Sequence, residues 1–103
     1  MAWVHLVIAG IFEIGWAFAL KFSEGFSRLW PSVATVACMG LSMVFVSQAL
    51  KTIPIGTTYA VWTGIGAAGT ALVGMLVFGE PATAARLLSI GLIIAGIAGL
   101  KLF

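Results

Sequence analysis

Long runs without a charged side chain constrain this chain more than any other feature. Leu29 to Leu50 and Ile55 to Phe78 carry no charge at all, and Ala2 to Leu20 is apolar except for His5 and Glu13. A fourth run, Leu87 to Leu100, lies between Arg86 and Lys101 and reaches spanning length if it begins near Ala82. Crossing the hydrocarbon of a bilayer takes ~20 residues at ~1.5 Å each. Each run therefore fits once, giving expected spans at 2–20, 29–50, 55–78 and 82–101. Backbone groups in lipid must be satisfied within the segment, and runs this uniformly apolar suit helices and not a barrel. The sequence predicts an all-α integral membrane fold of four transmembrane helices with short loops. The whole of 1–103 is read as a single domain.

The composition agrees, with 62% hydrophobic and 8% charged residues. A water-soluble domain carries roughly a quarter charged residues, so the solvent for most of this surface is lipid. The net charge of +2 comes from cations scattered singly along the chain, which argues against a nucleic-acid-binding face. A lone Cys38 leaves no intrachain disulfide and too few thiols for a thiolate metal site; it reads as a small packing residue. The first run lacks a basic leader and is long enough to span, so no cleavable signal is expected. There is no metal-ligand cluster, phosphate-binding glycine loop or nucleophile–base set, so neither a metal, a cofactor nor covalent catalysis is expected.

Glu13 is the residue that needs explaining. It lies about midway through the first run, where a carboxylate costs about 2.5–3.5 kcal/mol on insertion scales. Its side chain is too short to reach an interface, and no basic residue lies at comparable depth. One account is purely structural, a protonated carboxyl locked by helix–helix hydrogen bonds. The functional account is a site for cations and protons, the usual role of carboxylates within membranes. On a helix, Gly10 and Trp16 fall on the Glu13 face, with Ala9 and Ala17 beside them. The small residues are expected to leave space around the carboxylate, while Trp16 offers a ring face and one N–H donor.

In the second run Ser42 is placed to hydrogen-bond the carboxylate from across a cavity. In the third, Tyr59, Trp62 and Gly66 share a face, and the two aromatics are expected to line the same cavity. Together these groups suit a cation held by charge and by cation–π contact. Gly64 and Gly66 have two readings, close packing or a hinge that lets one end of the helix splay. His5 sits near a span end, where a neutral imidazole is easily solvated.

Orientation is poorly instructed. The N-terminus, Lys51 and Lys101 fall on one face, and Lys21, Arg28 and Arg86 on the other. That balance gives the positive-inside rule almost nothing to act on, which leaves either a weak bias or dual topology, in which copies insert both ways. Gly91, Ala95 and Gly99 recur at four-residue spacing in the fourth run, a small-residue stripe of the kind that lets helices approach closely in lipid. It is assigned to a dimer interface.

Two stretches carry a resemblance. They are Gly10-Ile11-Phe12-Glu13-Ile14-Gly15-Trp16-Ala17-Phe18-Ala19-Leu20-Lys21 and Pro54-Ile55-Gly56-Thr57-Thr58-Tyr59-Ala60-Val61-Trp62-Thr63-Gly64-Ile65-Gly66. With the closing run from Gly91 to Lys101, the chain resembles the small multidrug resistance family of bacterial transporters over essentially its whole length. Trp16 one turn after Glu13, and Lys101 near the end, make it similar to the guanidinium-exporter subtype. The resemblance implies a guanidinium/proton antiporter of the inner membrane that works as an antiparallel homodimer by alternating access. Glu13 would be the shared proton and substrate ligand, with Gly10, Trp16, Ser42, Tyr59 and Trp62 supporting or lining its site. The rival readings are a proton-coupled exporter of quaternary ammonium or aromatic cations, a non-transport membrane assembly subunit and a passive cation channel.

Overall fold

The computed structural model describes residues 2–102. Within them lie four helices, α1 (Ala2–Phe22), α2 (Leu29–Ala49), α3 (Ile55–Val77) and α4 (Ala84–Leu102). Each is long and apolar enough to cross a membrane. The all-α fold of four spanning helices is therefore as the sequence predicts.

Local chemistry sets the helix ends. The Ser23 hydroxyl donates to the Leu20 carbonyl (2.6 Å) and accepts from the Phe26 N–H (3.1 Å), so α1 continues through Lys21 and Phe22 before the chain turns. Pro31 sits in the first turn of α2, where its missing N–H has no helical partner to lose. Pro54 stands just before α3. At the other end of α3, Gly79 turns the chain with φ +67°, and the Glu80 N–H closes onto the Gly74 carbonyl at 3.2 Å. The fourth helix starts later than its apolar pattern suggested, at Ala84. Thr83 Oγ1 accepts the Arg86 N–H (3.2 Å) and caps it there.

The helices form a flattened array of 42 × 35 × 17 Å with α1 at its centre, packed against α2 on one side and α3 on the other. The backbone of the fourth helix comes close only to α3, and its C-terminal end reaches α1 through a side chain. Rings and cations confirm the alternation of loops. Lys101 Nζ lies 5.8 Å from the Trp3 ring centre, which puts the C-terminal end of α4 beside the start of α1. Lys21 Nζ lies 4.2 Å over the Phe78 ring, and Phe18 stacks on the same ring at 5.3 Å. The α1–α2 and α3–α4 loops therefore share the opposite face.

Glycine brings α1 and α3 together. A methyl built at Gly10 would collide with the Ile65 side chain, and one built at Gly69 with Ile14. At Gly66 it would sit 2.7 Å from Glu13 Cγ. Each glycine is thus a seat for a side chain of the facing helix, the close approach expected between helices in lipid. A small core of Leu6, Ala9, Val46, Ala49, Ile53 and Val61 closes the end of the array near the N-terminus. Outside it, large apolar side chains such as Leu76, Trp30 and Leu92 face outward, and α4 buries only Ile90.

Candidate functional site

Glu13 stands at mid-helix on α1, half-buried, with its methylenes resting on the bare backbone of Gly66. Trp16 lies one turn further along, and its Nε1–H donates to Glu13 Oε1 at 3.0 Å. The bond fixes the orientation of the carboxylate on the α1 face. Glu13 makes no ion pair and has no other hydrogen-bond donor among the described residues, so Oε2 is free to accept. A carboxylate buried in apolar protein without a cation is costly, and binding a cation or a proton removes that cost.

Two cavities meet on this carboxylate, each of about 430 Å³. The first lies over α2 and is bounded by Glu13, Trp16, Met39, Gly40, Ser42 and Trp62. The second runs along α3 towards the α3–α4 loop, with Glu13 and Trp16 at one end and Glu80 at the other. Glu13 and Trp16 form the partition between them.

The sequence placed Ser42 against the carboxylate, and the structure corrects this. Ser42 is fully buried; its Oγ donates to the Ala9 carbonyl at 2.8 Å and accepts the Trp62 Nε1–H at 2.8 Å. The hydroxyl is spent on fastening α1, α2 and α3 together, and it forms cavity wall without a hydrogen bond to Glu13. Gly10 was expected to leave space beside the carboxylate. It is instead buried under Ile65, because the α1–α3 contact takes the room that its missing side chain provides. Tyr59 was expected to line the cavity with Trp62. It lies 62% exposed, packed edge-on against the Trp62 ring at 5.9 Å and outside both cavities. Gly64 and Gly66, read as a possible hinge, lie in an unbroken α3. The first seats Ile97 and Ile93 of α4, and the second seats Glu13.

Sequence reasoning passed over Met39, Gly40 and Met43, which wall the first cavity from α2, and Thr70 and Glu80 in the second. The α2 residues gave no signal, because an apolar side chain in an apolar helix looks the same towards lipid or cavity. Thr70 did give one, being the only polar side chain between Gly66 and Glu80 and four residues from Gly66 on the same face.

Four apolar helices around a half-buried carboxylate, with separate cavities meeting on it, define a small multi-pass membrane transporter. The family model described as Small Multidrug Resistance protein matches residues 1–93, and the chain belongs to that family. It is 58% identical over 102 residues to a guanidinium exporter of Salmonella typhimurium, covering 99% of this chain and 97% of the relative. Guanidinium exporters of Yersinia pseudotuberculosis (58%, covering 99% and 98%) and Citrobacter freundii (57%, covering 99% and 97%) are similarly close. With its four spanning helices, the chain is a multi-pass protein of the bacterial inner membrane.

Proposed function

We propose that this protein exports guanidinium in exchange for protons, with Glu13 binding either one or the other. The observation that carries the reading is a half-buried Glu13 with no ion pair and no bond to Oε2 among the described residues, oriented by Trp16 where two cavities meet. The names of the similar exporters supply the substrate class. A planar guanidinium presents paired N–H groups that match a carboxylate edge, and the Trp16 ring beside Oε1 adds a face for the cation.

Competition gives the coupling. A carboxylate neutralised by guanidinium does not also hold a proton, so cation entry expels protons and protons arriving from the other side expel the cation. Each unit of pH difference is worth about 1.4 kcal/mol per proton, enough to sustain a roughly tenfold guanidinium gradient per proton exchanged. No covalent bond changes, so the activity is transport and not catalysis.

The working unit in this reading is an antiparallel homodimer. The near-even charges of the two faces support insertion both ways, and two oppositely inserted copies bring two Glu13 carboxylates to one pathway. Exchange of conformations between the two copies makes the inward-open and outward-open states equivalent, as inverted repeats do within one chain. The α4 stripe of Gly91, Ala95 and Gly99 serves as the contact. A methyl built at Gly91 or Gly99 meets nothing within 4 Å, so the stripe is open to another helix. A hinge of α3 at Gly64 and Gly66 in this cycle would have to lift Ile93, Ile97 and Glu13 off the seats these glycines now provide.

The test is guanidinium uptake into proteoliposomes with and without an imposed pH gradient. Wild-type protein is expected to accumulate guanidinium against its own gradient when protons leave the vesicles down theirs, and Glu13→Gln to lose this entirely while keeping its helical content. Proton-driven uptake retained in Glu13→Gln would defeat the proposal.

A further inference from the structure

The second cavity contains chemistry that the Glu13 site does not use. On α3, Gly66, Thr70 and Gly74 stand four residues apart and form one stripe. Glu13 rests on Gly66 and Glu80 on Gly74; a methyl built at Gly74 would lie 2.7 Å from Glu80 Oε1. The two carboxylates are thus laid along one helix face, roughly 12 Å apart by helical rise. Thr70 stands between them. Its hydroxyl makes no hydrogen bond among the described residues, unlike Thr63 and Thr35, whose hydroxyls are tied to carbonyls of their own helices. Ala17, Ala67 and Ala71 complete the wall and keep the slot open.

Glu80 is likewise uncommitted. Its backbone is fixed by the turn at Gly79 and the bond to the Gly74 carbonyl, while its carboxylate has no ion pair or hydrogen bond among the described residues. The cation on the adjoining end of α1, Lys21, lies over the Phe78 ring instead. A fixed, unpaired negative charge at the outer end of a slot lined by apolar walls focuses its field along the slot.

We propose that Glu80 is an outer station for the transported cation, which passes from Glu80 along the Thr70 hydroxyl to Glu13. The inference rests on the guanidinium-export reading and adds to it the route by which the cation enters and leaves. Glu80 holds the cation by charge, at the exposed end where it can exchange its water. Thr70 Oγ1 accepts an N–H midway, where the walls offer nothing else polar. Glu80 sets how readily the inner site fills, and Glu13 alone sets the exchange for protons.

The experiment measures guanidinium-driven proton movement in proteoliposomes for wild type, Glu80→Gln, Glu80→Asp and Thr70→Val. Equilibrium guanidinium binding is followed in parallel by tryptophan fluorescence in detergent. In Glu80→Gln the KM is expected to rise on the order of tenfold, the low end of what charge focusing contributes. Its maximal rate and the equilibrium binding at Glu13 should stay unchanged. Glu80→Asp should restore the low KM, and raising the salt should bring wild type towards Glu80→Gln as screening removes the field. Thr70→Val should also raise the KM.

An unchanged KM in Glu80→Gln overturns the proposal. So does a lowered melting temperature with KM intact, which would make Glu80 only an anchor for the loop. If Glu80→Gln does not fold, an unchanged KM in Thr70→Val overturns it equally. Wild-type protein inert to guanidinium would defeat the transport reading and this station with it, whereas active wild type with an indifferent Glu80→Gln defeats the station alone.

Discussion

Ser42 shows how much a single hydroxyl does in this membrane protein. It joins three helices at one point, donating to Ala9 on α1 and accepting from Trp62 on α3 while itself belonging to α2. Interhelical hydrogen bonds within membranes average only ~0.6 kcal/mol, but removing this one leaves the Trp62 N–H without an acceptor. Ser42→Ala is therefore expected to destabilise the fold by about 1–2 kcal/mol, measured by thermal unfolding in detergent. It should also weaken guanidinium binding, because the Trp62 ring that walls the first cavity loses its tether. Unchanged stability would mean that Trp62 finds water or another acceptor.

The pairing of Trp16 with Glu13 was legible because both lie on one helix, where a three-residue spacing fixes the contact. The Ser42–Trp62 pairing was not, because it depends on how separate helices turn towards each other. The same limit misplaced Gly10 and Tyr59. A small residue next to the carboxylate is equally consistent with open space and with a seat for Ile65, and only the α1–α3 contact decides between them.

At the scale of the helices, length and hydropathy were enough to predict four spans, but not which helix packs on which. In a soluble bundle, an apolar stripe against a polar face tells each helix which way to turn. These helices are apolar on all sides, because lipid and protein neighbours ask for the same side chains. The central position of α1 and the isolation of α4 against α3 could therefore not be read from the pattern. Glycines carry that information, but ambiguously: Gly64 and Gly66 seat neighbours, whereas Gly91, Gly96 and Gly99 have nothing over them.

The open glycines of α4 lead to an element-scale prediction. If they accept a second α4, then Gly91→Leu and Gly99→Leu should each weaken the dimer at least about tenfold, about 1.4 kcal/mol. Cross-linking across a dilution series in detergent reads this directly, and helical content should stay unchanged because a methyl built at either site meets nothing within 4 Å. Dimerisation at wild-type strength in both variants would remove α4 from the interface.

For the molecule as a whole, the decisive quantity is the charge of its two faces. Lys51 and Lys101 with the N-terminus oppose Lys21, Arg28 and Arg86, a difference small enough that one or two added cations decide the orientation. An antiparallel dimer requires both orientations in the same membrane, so a chain forced to insert one way should fold and yet fail to transport. Gln48 and Thr52 are exposed at the Lys51 end of the array, away from both cavities. Gln48→Lys with Thr52→Lys should direct that face to the cytoplasm. The reverse set, Lys51→Gln with Ser27→Lys, should direct the opposite face there. Each variant expressed alone is expected to lose guanidinium export, and the two expressed together to regain it, since each supplies the orientation the other lacks. Full activity from either variant alone, once labelling from the two sides of the membrane has shown a single orientation, would rule out the antiparallel arrangement. Such a result would leave Glu13 working within one chain or between parallel copies.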